Sequence, residues 1–239
     1  MEIRGTFISE FDRAEFLTER WQYKAGDHVT FIAPSDYGKT TWAGQLLEYT
    51  ATPRLPAYVL AGKKRDDVMT DLIERLGYAR SANYPPNLYQ RYFRKPPGYV
   101  IWVPVTGNED IDDRLHADVF RRTLRDRAGK GNCIIVADEF GELSELGLNK
   151  TTRAIHRRGR SSGVGLWGNL QGTSWNETHA YSQAAHLFLG SSPDEQQRKR
   201  FGEISGFDRK LIEAIVMELP YHWWLYIRRR GRVMCIVRA

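Results

Sequence analysis

At 239 residues the chain is long enough for one large α/β domain or two small ones. Its 41% apolar and 27% charged residues exclude a disordered or fibrous chain, and with no signal-peptide pattern and no apolar run of about 18 residues it reads as a soluble, cytoplasmic protein without a membrane partner. A net charge of +6 suits a polyanionic partner without requiring one.

A lead-in over 1–25 precedes the first apolar run, 28–33. Further apolar runs lie at 57–61, 99–105, 133–137, 164–167 and 186–189, and helical patterns lie between them at 39–49, 66–76, 110–127, 151–160 and 193–201. Strand alternating with helix is the signature of an α/β fold, with a mostly parallel sheet covered by helices on both faces. Two last runs, 223–227 and 232–237, flank Arg228-Arg229-Arg230-Gly231 and read as a terminal β-hairpin within 220–239. Neither a repeat nor a low-complexity linker interrupts the chain, so a single domain over 1–239 is expected. Cys133 and Cys235 sit inside apolar stretches and read as buried reduced thiols; the six histidines show no zinc-type spacing with them.

Between the first run and the first helical pattern stands Ala33-Pro34-Ser35-Asp36-Tyr37-Gly38-Lys39-Thr40, followed by Thr41. It fits the phosphate-loop pattern G-x-x-x-x-G-K-[ST] with Ala33 in place of the first glycine. A loop between strand and helix presents backbone N–H groups and a helix N-terminus to an anion. Gly38 permits close approach, Lys39 can reach the β- and γ-phosphates, and the Thr40 hydroxyl can ligate Mg²⁺. Pro34 offers no N–H, and the Asp36 carboxylate is expected to point away from the anion. The alternative is a plain strand-to-helix turn. ATP and Mg²⁺ are therefore the expected ligands, held by residues 33–41.

The run Ile134-Ile135-Val136-Ala137 ends in Asp138-Glu139. In a phosphate-loop enzyme the first acid would hold Mg²⁺ through water and the second would polarise the attacking water, which favours hydrolysis over phosphotransfer. Downstream, Arg157, Arg158 and Arg160 lead into Gly163–Gln171. The arginines read as a DNA-facing patch, a solvated helix end, or a finger that completes a neighbouring subunit's site. Asn169 and Gln171, alternating along a strand, are expected on one face, where either could touch the γ-phosphate or its water.

These motifs, in this order and with Tyr23-Lys24-Ala25-Gly26-Asp27-His28-Val29 before them, resemble the FtsK/HerA superfamily of ring-forming, ATP-driven DNA pumps. The resemblance covers roughly residues 20–190 and, more loosely, the hairpin. It implies a RecA-like P-loop NTPase fold and phosphate and metal roles for Lys39, Thr40 and Asp138. It also implies a catalytic role for Glu139, a sensor role for Gln171, and a trans-acting arginine among Arg157, Arg158 and Arg160. Leu170 stands where the family has threonine before the sensor. A minimal core of this size looks most like a viral genome-packaging ATPase acting on double-stranded DNA, in the host cytoplasm, as a ring of five or six copies with a portal-like or nuclease partner. A terminase-like motor with a nuclease, and a signalling switch or small-molecule phosphotransferase, are the competing readings.

The segment 84–99 interleaves Tyr84, Tyr89, Tyr92, Phe93 and Tyr99 with Arg91, Arg94 and Lys95. Such a mixture either lines a nucleic-acid channel or packs its aromatics on the sheet with solvated charges between.

Overall fold

The computed structural model describes residues 2–173 and 177–239. In chain order, β1 (Glu2–Ile3) and β2 (Thr6–Phe7) form a small antiparallel pair, and β3 (Glu10–Phe11) leads to α1 (Arg13–Glu15) and a π-helical turn at Phe16–Arg20. Then come β4 (Val29–Ile32), α2 (Lys39–Thr50), β5 (Ala57–Ala61), α3 (Asp67–Glu74), β6 (Ala79–Ser81), a second π-helical turn at Gln90–Arg94, and β7 (Gly98–Trp102). The 22-residue α4 (Glu109–Lys130) precedes β8 (Cys133–Ala137), α5 (Phe140–Glu145), α6 (Asn149–Arg158), a 3₁₀ turn at Gly159–Ser162 and β9 (Val164–Leu170). The chain ends with α7 (Thr178–Ser182), β10 (His186–Leu189), α8 (Glu195–Ser205), α9 (Arg209–Glu218), β11 (Trp224–Arg228) and β12 (Val233–Val237).

Helix starts follow from local chemistry. Asp66, Asn108, Asp194 and Asp208 each accept a backbone N–H from the first turn of the helix they open, satisfying donors that have no partner within the helix.

The described chain packs as two compact units. The first holds residues up to 23 together with 28–39 and 169–239. Its strands lie in the order β3-β12-β11-β10-β4. β10 runs parallel to β4, with His186 opposite Val29 and Leu189 opposite Ile32, whereas β11 is antiparallel to both β10 and β12. Its core is aromatic: Phe31 and Phe188 stack at 5.0 Å and 10°, and Phe16 meets Tyr226 edge-on at 4.8 Å.

The second unit holds 24–27 and 40–168. Its strands lie in the order β9-β8-β5-β7-β6, all parallel. Every residue of β5, β7 and β8 is buried, as parallel strands covered on both faces must be.

The expected mostly parallel α/β sheet is thus present, and each expected strand run and helical pattern corresponds to an element with ends shifted by a few residues. One placement is corrected. β9 ends at Leu170, so Gln171 lies past the strand and shares no strand face with Asn169; Asn169 is buried and Gln171 exposed. Elements without an expectation are β1–β3, α1, β6, α5, α7 and α9. The buried thiols of Cys133 and Cys235 are free, as expected. Among the described residues no helix is long and apolar enough to cross a membrane.

Candidate functional site

Residues 33–38 form the loop that joins β4 to α2. Two of them adopt left-handed backbone: Asp36 at φ 59° and Gly38 at φ 81°. Aspartate tolerates that region better than most side chains, and glycine adopts it without cost. Asp36 is exposed. The Lys39 ammonium donates to the carbonyls of Ala33 at 2.8 Å and Pro34 at 2.5 Å, so the lysine folds back across its own loop.

Ala33, where the phosphate-loop pattern has glycine, has a compensating neighbour. Gly190, just past β10, has its α-carbon so close that a β-carbon there would stand 2.6 Å from the Ala33 β-carbon and 2.8 Å from the Tyr37 ring. The Gly190 N–H donates to Ile32 O at 2.9 Å, and the Ala33 N–H donates to Leu170 O at 3.2 Å. The methyl group gained at 33 is accommodated by the one absent at 190.

Tyr37 is fully buried, so only its backbone is left to face an anion. Its hydroxyl donates to Trp223 O at 2.7 Å and accepts from the Ser191 N–H at 2.9 Å, while its ring meets Trp224 edge-on at 4.9 Å. Burial raises the phenol's pKa. The loop is thereby tied to the segment that enters β11.

Within the second unit, the Thr40 hydroxyl donates to Asp138 Oδ1 at 2.6 Å. This bond joins the first turn of α2 to the end of β8, 98 residues apart in sequence. Asp138 is buried, and Lys63 Nζ lies 3.4 Å from its other oxygen, Oδ2. Burial alone would lower the Lys63 ammonium, but the Asp138 charge more than offsets it and holds the lysine above its usual range. Glu139 is exposed and stands in extended backbone at the start of α5.

Sequence reasoning gave no role to Glu142, one helical turn after Glu139. Its Oε1 lies 3.6 Å from Nδ1 of the buried His116, which stacks on Phe120 at 5.5 Å. Burial, followed by the charges of Glu139, Asp138, Asp113 and Glu145, pushes the Glu142 carboxyl up to about 7. Gly62 makes room for it: a β-carbon there would stand 2.3 Å from Glu142 Oε1. The spacing of Glu139 and Glu142 in Glu139-Phe140-Gly141-Glu142 was the available signal, but the helix that places them on one side was not expected.

Arg157, Arg158 and Arg160 are all exposed, at the end of α6 and in the 3₁₀ turn after it. Their backbone is held from below. Asn132 N donates to Ser162 O at 2.9 Å and Cys133 N to Gly163 O at 3.2 Å. Gly26, at φ 90°, approaches so closely that a β-carbon there would stand 2.7 Å from Arg160 O. The structure therefore groups Thr40, Lys63, Asp138 and Glu142 around one carboxylate in the second unit, and Ala33, Tyr37 and Lys39 around one loop in the first.

Thr40 and Asp138 offer oxygen donors only, the type Mg²⁺ accepts, and among the described residues no cluster of three His, Cys, Asp or Glu side chains is placed to hold a metal by itself. That donor set fits a magnesium ion that arrives with a phosphate.

No family model matches the sequence, and no curated protein matches it. Solved structures do. The DNA-packaging ATPase B204 from Sulfolobus turreted icosahedral virus aligns over 90% of this chain and 98% of its own, with TM-score 0.57 and 13% identity. The genome-packaging NTPase B204 of Sulfolobus turreted icosahedral virus 2, in complex with AMPPCP, aligns over 89% and 97%, with TM-score 0.55 and 13% identity. EssC (ATPases 2 and 3) from Geobacillus thermodenitrificans aligns over 91% of this chain and 40% of its own, with TM-score 0.55 and 12% identity. At these identities the likeness is one of architecture, and this chain has the α/β phosphate-loop NTPase fold of B204 and the EssC ATPases.

Proposed function

We propose that the protein is an ATPase that moves double-stranded DNA, of the viral genome-packaging kind, working as a ring of identical subunits. The observation that carries the ATPase part of this reading is the 2.6 Å bond from Thr40 to Asp138, which pairs the hydroxyl after a phosphate-loop lysine with the acid that ends a buried parallel strand; the likeness to B204 supports the packaging part. Such a pairing is what a magnesium nucleotide requires, and a plain strand-to-helix turn does not.

In this reading, the backbone N–H groups from Ser35 to Thr41 and the Lys39 ammonium hold the triphosphate, with Lys39 exchanging its two carbonyl partners for phosphate oxygens. Thr40 and Asp138 hold Mg²⁺, which supplies charge neutralisation on the phosphates. Glu139 polarises the attacking water, and Gln171 responds to the γ-phosphate. One of Arg157, Arg158 and Arg160 completes a neighbouring subunit's site. The net charge of +6 accords with a polyanionic cargo.

The test is ATP turnover in magnesium buffer, with and without double-stranded DNA, beside mass measurement of the assembly. Turnover stimulated by DNA and lost in Lys39→Ala and Glu139→Gln is expected, at least about a hundredfold for each variant. Native turnover in Glu139→Gln would remove the acid's role. DNA-independent turnover by a monomer would favour a signalling switch.

A further inference from the structure

Segment 84–99 buries the aromatic side chain at each of its ends and exposes those of its middle. Tyr84 and Tyr99 pack inward: Tyr84 hydrogen-bonds Asp126, and Tyr99 stacks on Tyr58 at 5.0 Å. The stretch between them projects outward. Leu88, Tyr89, Tyr92 and Phe93 are exposed by 66%, 67%, 59% and 78%, the densest run of exposed large apolar side chains among the described residues. Large apolar side chains are normally covered when they cluster, so four within six residues, three of them aromatic, mark an interaction surface.

The projection is held in shape. Gln90 N donates to Asn87 Oδ1 at 2.9 Å, Gln90 Nε2 to Arg80 O at 3.0 Å, and Arg94 Nη2 to Gly77 O at 3.3 Å. Tyr89 and Phe93 lie nearly parallel, with centroids 5.9 Å apart, and the Arg91 guanidinium sits 5.3 Å from the Tyr92 ring. Charge then selects the occupant. Between Glu74 and Glu109 the sequence has no acidic residue and five cations; Arg75 is paired with Asp71 and Glu48, which leaves Arg80, Arg91, Arg94 and Lys95 as the positive charge of this stretch. Flat rings interleaved with cations match a strand whose bases present their faces and whose phosphates alternate with them. A duplex hides those faces, whereas a single strand or a frayed end offers them.

We infer that the projection at residues 88–95 is a binding site for unpaired nucleic acid, with Tyr92 and Phe93 stacking on bases and Arg91, Arg94 and Lys95 pairing with phosphates. This rests on the nucleic-acid part of the proposed function and adds to it a strand-selective contact made by the second unit. A membrane-binding helix would need a longer apolar face than this five-residue turn provides.

The test is fluorescence anisotropy with a labelled mixed-sequence oligonucleotide, single-stranded and as a blunt duplex. The proteins are the native chain, Tyr92→Ala/Phe93→Ala, Tyr92→Trp/Phe93→Trp and Arg91→Glu/Arg94→Glu. Removing the rings should weaken single-strand binding about tenfold or more while changing duplex binding less than about threefold. The tryptophan pair should retain single-strand binding, and the charge pair should weaken both and flatten the salt dependence. Unchanged single-strand affinity in the alanine pair overturns the inference. So does an equal loss on duplex, or a loss that appears only on vesicles of phosphatidylserine or in the mass of a self-assembly. ATP turnover without nucleic acid, measured on the same variants, should match the native chain and reports on the ATPase reading separately; its absence in every protein would sink that reading while leaving the strand preference measurable.

Discussion

At Tyr37 a residue inside the loop at 33–38 ties that loop to its own unit. Its buried hydroxyl occupies the Ser191 N–H and the Trp223 carbonyl at once. Tyr37→Phe keeps the ring and strands both partners, which costs about 1–3 kcal/mol when neither can reach water. Urea unfolding should show that loss with the far-ultraviolet spectrum unchanged; a loss below about 0.3 kcal/mol would mean that the hydroxyl holds nothing. Glu142 carries a different signature. Burial and its acidic neighbours raise its carboxyl to about 7, against an ordinary glutamate value near 4.3. The folded state therefore favours the protonated form. Its contribution is complete below the ordinary carboxylate range and is lost as pH rises through about 7. The groups facing it are Asp138, Glu139, Asp113, Glu145 and His116, and the four acids all push in this direction. Glu142→Gln removes the titration, so its stability advantage over the native chain should grow between about pH 5 and pH 8. A gap that stays constant across that interval would show that Glu142 ionises freely. The motif acids were legible in the sequence because they end an apolar run. Glu142 was not, because its environment is made by His116 on α4 and Gly62 after β5, residues remote in sequence whose approach no local pattern announces.

Between elements, the contact that distinguishes this loop is Ala33 against Gly190. The end of β4 and the end of β10 are neighbouring parallel strands, and the pair meets just beyond their last hydrogen bond. Gly190→Ala places a methyl group 2.6 Å from the Ala33 β-carbon and 2.8 Å from the Tyr37 ring, both held by fully buried surroundings. Overpacking of this kind costs about 1–3 kcal/mol. Ala33→Gly relieves one of the two collisions, so the double variant Ala33→Gly/Gly190→Ala should recover part of the stability lost by Gly190→Ala. Strictly additive losses in thermal or urea unfolding would show that the two positions are uncoupled. The alternation of strand and helix from 28 to 201 was readable because buried parallel strands are continuous apolar runs, with longer amphipathic stretches between them. The N-terminal strands were not, because two-residue strands such as β1 and β2 have no period to detect. α5 escaped for the opposite reason: its start coincides with the acidic pair that was read as a strand end. The end of β9 was overrun because Leu170-Gln171 continues an alternating pattern past the point where pairing stops.

For the molecule as a whole, the proposed role of the exposed arginines bears on whether one subunit is a complete enzyme. Arg157, Arg158 and Arg160 are all solvent-facing while the turn that carries them is fixed by Gly26, Asn132 and Gly163. A rigid backbone under exposed, permanently charged side chains is suited to reaching into another molecule's site, since little order has to be gained on contact. If the arginine acts between subunits, two differently broken chains should repair each other. Arg157→Ala/Arg158→Ala/Arg160→Ala keeps Glu139 but cannot complete a neighbour; Glu139→Gln keeps the arginines but cannot activate water. Each alone should turn over ATP at a small fraction of the native rate. Mixed, and allowed to exchange, they create interfaces in which an intact acid faces an intact arginine, up to about a quarter of all interfaces in a random head-to-tail ring of equal parts. ATP turnover in magnesium buffer should rise well above the sum of the two alone, and should fall again on dilution as the assembly comes apart. If the mixture stays at that sum while mass measurement shows that mixed assemblies have formed, the arginines act within their own subunit or not at all.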